Sequence, residues 1–229
     1  MNILFDLDGT LTDPYQGITR CISHTLVTLG RPSPPRMSLR WCIGPPLKNS
    51  FATLLATDDD NLVKEALTIY RERFGSVGLF ENEVYEGIPE TLEALQKMGY
   101  MLYVATSKPS VYAERIIDYF GLRQYFKGIY GSELDGKRSD KTSLISHILK
   151  SESIDLSEAS MIGDREHDMI GAKANGISGF GVLWGYGTKE ELEASGAHAC
   201  IGNPRELITL LDGKSNQALV RTQKAAPHS

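Results

Sequence analysis

The sequence predicts an α/β chain: a doubly wound, Rossmann-like parallel sheet carrying a small inserted helical unit. Three observations predict it. Short apolar runs alternate with amphipathic stretches from Pro89 onward, the pattern of parallel strands joined by crossover helices. A stretch without strands, from about Tyr15 to Phe80, interrupts that alternation directly after the first strand. Carboxylates and small polar residues cluster just after the apolar runs, where open sheets of this class build their sites.

Each element has its own signal. Asn2 to Phe5 opens as a short buried strand. Tyr15 to Leu29 follows as a helix, with Ile18, Ile22, Leu26 and Leu29 on one face. Gly30 to Pro46 contains Pro32, Pro34, Pro35, Pro45 and Pro46 and cannot be one helix, although a short turn fits Ser38 to Cys42. Leu62 to Phe74 is amphipathic again, its stripe being Leu62, Ala66, Tyr70 and Phe74. The alternating half then gives helix Pro89–Met98, strand Met101–Thr106, helix Tyr112–Phe120, strand Gly128–Gly131 and helix Lys141–Leu149. It continues with strand Ala159–Ile162, helix His167–Asn175, strand Phe180–Trp184, and helices Glu190–Ala194 and Pro204–Leu211, the last opening on a proline. The core domain is therefore 1–14 with 82–213, and the helical insertion is 15–81. Residues 214–229 are polar and aperiodic and read as a frayed tail.

Composition narrows the function. The 229 residues are 41% hydrophobic, enough for a substantial core, and carry a net charge of -5. That sign disfavours a nucleic-acid polymer or an anionic membrane as partner, while a few local cations still allow a small anionic substrate. No apolar run reaches membrane-spanning length, and Asp6 cuts short any leader-like start. Cys21, Cys42 and Cys200 are far apart, with no metal-type spacing, and read as free thiols in a reducing compartment. The expectation is a cytoplasmic protein.

Four places follow strand ends in order: Asp6 with Asp8, then Thr106-Ser107-Lys108, then Lys141, then Asp164 with Asp168. Singly each has a bland reading: Asp-Gly is a common turn, a lone Lys a solvated charge, Asp168 a helix-start carboxylate favoured by the dipole. Together, on one edge of one sheet, they describe a site. The segments FDLDGTLTD, YVATSKP, RSDKTSLI and MIGDREHDMIGAKANGI resemble those of the haloacid-dehalogenase superfamily of hydrolases, of the phosphoglycolate-phosphatase-like or 5′-nucleotidase-like type. The likeness runs from residue 2 to 211. The insertion resembles that family's small mobile cap, in topology and in the run IGPPL.

The resemblance implies a Mg²⁺-dependent phosphomonoesterase acting on a small phosphorylated metabolite, phosphoglycolate or a nucleoside 5′-monophosphate. Phosphoryl chemistry agrees, since neutralising and positioning a dianion is most of the task. By the resemblance Asp6 is the nucleophile and Asp8 the general acid, then base. Gly9 allows close backbone approach, Thr106 and Ser107 bind phosphoryl oxygens, and Lys141 balances the charge. Asp6, the backbone carbonyl of Asp8, Asp164 and Asp168 hold the metal, oxygen ligands suiting Mg²⁺ better than zinc. Lys141 is preferred to Lys137 because it opens the helix before Leu144 and Ile145. The leaving group falls to the insertion, with Arg20, Arg40, Lys48 and Asn49 as its candidate readers and Trp41 as a face for a nucleobase. Arg40 and Lys48 would suit an anionic leaving group. A phosphomutase on the same fold, or a non-catalytic binding or regulatory protein, are the alternatives.

Overall fold

The structure, a computed structural model, describes residues 1–212; the expected tail at 214–229 lies outside the described residues. Six parallel strands form the main sheet, in the order β5-β4-β1-β6-β7-β8. They are β1 (Asn2–Phe5), β4 (Met101–Pro109), β5 (Gly128–Ser132), β6 (Ala159–Gly163), β7 (Ser178–Val182) and β8 (Ala199–Ile201). Period-2 alternation divides the core between the two faces. Leu4, Tyr103, Ala105 and Met161 pack with Leu144, Ile145 and Ile148 of α6 (Lys141–Ser151) and Ala172 of α7 (Glu166–Ala174). Ile3, Phe5, Leu102, Val104 and Ile162 face the other way, onto Leu92 and Leu95 of α4 (Ile88–Lys97) and Ile116 and Ile117 of α5 (Ser110–Tyr119).

Register brings the site together. Phe5 lies opposite Val104 on one side and Ile162 on the other. The residues just beyond these, Asp6, Thr106 and Asp164, therefore emerge side by side at the carboxyl edge of the three central strands. β4 bulges there: four steps from Ala105 to Pro109 match two steps from Tyr130 to Ser132 on β5. Thr106, Ser107 and Lys108 occupy this irregularity, which turns their side chains out of simple alternation.

The insertion consists of α1 (Tyr15–Thr28), a 3₁₀ turn at Arg36–Cys42, α2 (Leu47–Leu55), α3 (Asp60–Arg73) and a π turn at Phe74–Gly78. Its two connections to the sheet pair with each other as β2 (Thr12–Asp13) and β3 (Glu83–Val84), antiparallel. These short strands, α2 and β8 are additions to what the sequence predicts. Two-residue strands carry no periodicity to read. α2 hides because Pro45-Pro46 reads as a break, whereas Pro46 is the residue from which the helix starts. Phe51 of α2 is fully buried and meets Tyr70 of α3 edge-on at 5.9 Å, so the insertion has a core of its own. β7 ends at Val182 rather than Trp184 because the chain turns at Leu183 to cross over the loop after β1. α8 (Lys189–Ala194) follows, and a last helix spans 206–212.

Candidate active site

The loop after β1 answers why two aspartates stand two positions apart. Leu7 and Leu11 are fully buried, and the Leu7 carbonyl accepts from the N–H groups of Leu11 and Thr12, curling the chain around it. Asp6 and Asp8 are both buried in this curl, yet they enter separate environments. Asp6 Oδ1 accepts from Lys141 Nζ at 2.9 Å and from its neighbour's N–H, Leu7 N, at 2.7 Å. Asp8 Oδ2 instead meets Lys108 Nζ at 2.6 Å, and its Oδ1 is buried with no hydrogen-bond partner among the described residues. Burial raises the Asp8 carboxyl above the ordinary carboxylate range, Lys108 opposing the rise.

Lys141 is the cation that the sequence points to. Its Nζ reaches Asp6 at 2.9 Å, Asp168 Oδ1 at 2.8 Å and the Ala105 carbonyl at 2.8 Å. Burial alone would depress this ammonium, but Asp168 and Asp6 hold it above its ordinary range, so it stays charged. Lys137 lies on the surface beside Glu133 and takes no part. The spacing explains the outcome: Asp140 caps α6 by accepting from Ser143 N, and Lys141 is the first helical residue after that cap, facing the sheet.

Asp6, Asp164 and Asp168 present carboxylate oxygens within 4.8 Å of one another, all buried. Burial, then the charges of Asp6 and Asp168, push the Asp164 carboxyl well above its ordinary value, and burial likewise raises Asp168 against the pull of Lys141. Three buried carboxylates facing one lysine are short of positive charge, and an all-oxygen set of this kind suits a hard divalent cation. Asp8's carboxylate is outside this cluster. Asp168 also accepts from Arg165 N at 3.2 Å, so its helix-capping and site roles coexist. Gly9 has φ +86°, and a Cβ there would overlap the Asp164 carboxylate.

Thr106 is buried, with its Oγ1 accepting from Lys108 N at 3.2 Å, and Ser107 is half-buried beside the cavity. That cavity, about 590 Å³, opens from Asp8 between the sheet edge and the insertion. The Pro-rich turn expected to face it does so through Pro45, Pro46, Lys48 and Asn49. Lys48 is at the mouth, paired with Asp60 at 3.0 Å. Arg40 and Trp41 are corrections to the sequence reading, because neither lines the cavity. Arg40 is exposed and stacks over Tyr186 at 4.8 Å, and Trp41 is 43% exposed. The 3₁₀ turn that carries them buries Leu39 and Cys42 instead, leaving the residues between on the outer side. Arg20 binds Glu81 at 2.7 Å, near the β2–β3 connections and away from the cavity.

Three further residues of the site were given no role by the sequence reading. Lys108 lines the cavity beside Asp8, and its position directly after Thr106-Ser107 at a strand end was the available signal. Tyr186 N donates to Asp164 Oδ2 at 2.8 Å, from the loop over which β7 leaves the sheet. Arg165 Nη1 donates to the insertion's Ile43 carbonyl at 2.9 Å, while its Nε holds Glu191 at 2.8 Å. Neither of these two carries a local sequence signal, since both act through chain crossings.

Comparison with known proteins decides the family. The haloacid dehalogenase-like hydrolase family matches residues 3–182. The chain belongs to that family. A 5′-nucleotidase of Pseudomonas aeruginosa is 51% identical over 84% of this chain and 87% of its own length. A Mycobacterium tuberculosis protein named tyrosine-protein kinase PtkA is 37% identical over 83% of this chain and 65% of its own length. A phosphoglycolate phosphatase of Colwellia psychrerythraea is 26% identical over 91% of this chain and 96% of its own length. Among solved structures, a "predicted phosphatase" from Clostridium acetobutylicum superposes with a TM-score of 0.88 at 41% identity, covering 92% of this chain and 97% of that one. The dehalogenase-like hydrolase is thus a phosphatase of this family, as the motifs led us to expect. No helix among the described residues is long and apolar enough to cross a membrane.

Proposed function

We propose that this phosphatase hydrolyses a small phosphate monoester through an aspartyl-phosphate on Asp6, with Mg²⁺ bound by Asp6, Asp164, Asp168 and the Asp8 carbonyl. The observation that carries the reading is the division between the two aspartates. Asp6 stands among Lys141, Asp164 and Asp168, whereas Asp8 turns away, toward Lys108 and the cavity. When bound, Mg²⁺ would neutralise phosphoryl charge and hold the ester in line with Asp6. A carboxylate oxygen of Asp6 attacks phosphorus, and the bond from phosphorus to the ester oxygen breaks. Asp8 delivers its proton to that leaving oxygen, a task suited to a carboxyl raised by burial. Asp8 then takes a proton from water as the water oxygen attacks phosphorus; the bond to Asp6 breaks and inorganic phosphate leaves. Thr106 and Lys141 hold the non-bridging oxygens. The insertion acts as a cap, its closure excluding water during the first step.

For the leaving group we favour a nucleoside 5′-monophosphate over phosphoglycolate. A cavity of about 590 Å³ with Tyr70, Phe74 and Tyr112 in its wall is sized and surfaced for a nucleoside, and far exceeds a glycolate. The likeness to the 5′-nucleotidase supports the same choice. The test is a kcat/KM panel of nucleoside 5′-monophosphates, 2-phosphoglycolate and sugar phosphates, with Mg²⁺ and with excess chelator. Nucleotides should lead by about tenfold or more, a margin of ~1.4 kcal/mol, and chelator should abolish turnover. A phosphoglycolate preference would overturn the substrate assignment; full activity in chelator would overturn the metal.

A further inference from the structure

We propose that Lys108 is a substrate-contacting catalytic residue, whose ammonium group stabilises the leaving oxygen of the ester and makes the enzyme competent on poor, alkyl leaving groups. This rests on the monoesterase reading above. Lys108 is nearly as hidden as Lys141, its side chain being 6% exposed. A buried ammonium must satisfy its donors, of which it has three. Asp8 Oδ2 at 2.6 Å takes one, and the face of Phe74, with its centroid 4.7 Å from Nζ, accommodates a second direction. No other protein acceptor meets this Nζ among the described residues, and Lys108 and Asp8 together border the cavity.

Location assigns the role. The two buried lysines serve different carboxylates: Lys141 pairs with Asp6 and Asp168, and Lys108 pairs with Asp8. Whatever oxygen hydrogen-bonds to Asp8 lies one further hydrogen bond from Lys108 Nζ. In the proposed reaction that oxygen is the ester bridge, where negative charge grows as the bond to phosphorus breaks. A fixed cation there stabilises the transition state more than the bound ester. The gain is large for an alkoxide such as a ribose 5′-oxygen and small for a nitrophenolate, which carries its own charge easily. A purely structural pair, holding Asp8 and the insertion in place, would affect both ester types equally.

The experiment compares wild type, Lys108→Met, Lys108→Gln and Lys108→Arg on adenosine 5′-monophosphate and p-nitrophenyl phosphate, with Mg²⁺ present. Removing the cation should lower kcat/KM for the nucleotide by about 100-fold or more, the scale of a lost charge-stabilising donor. The loss on the aryl ester should stay below about tenfold, mostly in kcat for the nucleotide, and Lys108→Arg should recover part of it. Equal losses on the two esters, or none on either, would overturn the proposal. Thermal melts identify any variant that fails to fold, and the remaining substitutions then decide. If wild type cleaves the aryl ester but no nucleotide, the substrate assignment fails, and its best alkyl phosphate replaces the nucleotide in the same comparison. Wild type inert on every monoester would refute the monoesterase reading itself.

Discussion

At the scale of single residues, the site is a distribution of charge that the sequence shows only in part. Asp6, Asp8, Lys141 and Asp164 were legible because each sits at a strand end or a helix start, where one dimension of the chain already fixes position. Lys108 was visible as a residue but not as a partner, because its meeting with Asp8 joins positions 8 and 108 through a strand bulge. Gly9 illustrates how narrow the tolerances are. Its positive φ and its contact with Asp164 leave no room for a side chain. Gly9→Ala should therefore displace Asp164 and weaken Mg²⁺ binding by about 10–100-fold, the usual range when a ligand's support is disturbed. Isothermal titration with Mg²⁺ measures this directly; unchanged affinity would mean that Asp164 does not ligate the metal.

At the scale of elements, the helical insertion is held to the sheet by reciprocal contacts. Arg165, from the sheet side, donates to the Ile43 carbonyl at 2.9 Å, and Arg71 of α3 donates to the Leu134 carbonyl, beyond β5, at 2.8 Å. A hydrogen bond from a charged donor contributes about 1.5–3 kcal/mol when well formed, less at an exposed position. Arg71→Ala should loosen closure, speeding proteolytic cleavage within the insertion about tenfold while leaving the melting temperature of the sheet domain nearly unchanged. Cleavage at the wild-type rate would show that this contact does not govern closure. The sequence already placed the insertion's Pro-rich turn over the site; which of its residues turn inward was not readable. Periodicity reports which face of α3 is apolar; it does not report that α2 follows directly on Pro46, nor that Arg40 and Trp41 turn outward while Lys48 and Asn49 turn in.

For the whole molecule, the clustered carboxylates make stability depend on pH and metal together. Burial and mutual repulsion raise the Asp164 and Asp168 carboxyls in the folded protein. The folded state thus keeps protons that the unfolded chain has released, so metal-free stability falls as pH rises from the ordinary carboxylate range toward the raised folded values. Mg²⁺ bound to these carboxylates as proposed would compete with those protons, so its stabilising effect should grow with pH through the same window. At 100 times its dissociation constant it should contribute about 2.7 kcal/mol. Melting curves with and without Mg²⁺ across that window check the sign; a metal effect that shrinks with rising pH would contradict it. The doubly wound architecture was readable because buried parallel strands read as short apolar runs, as in β1, in the first part of β4 and in β6. The same constraint failed to mark β8, which has only three residues at the sheet's edge.

The central claim is that Asp6 carries the phosphoryl group, with Asp8 turning it over. Acid-quenched enzyme, caught within the first turnovers on a nucleoside 5′-monophosphate with Mg²⁺ and digested for mass spectrometry, tests it most directly. The mass of one phosphoryl group should appear on the peptide containing Asp6. It should accumulate further in Asp8→Asn on an aryl ester, where formation needs no acid but hydrolysis lacks its base, and vanish in Asp6→Asn together with turnover. A phosphorylated peptide elsewhere in the chain, or an Asp6→Asn variant that keeps more than a small fraction of wild-type kcat, would contradict it.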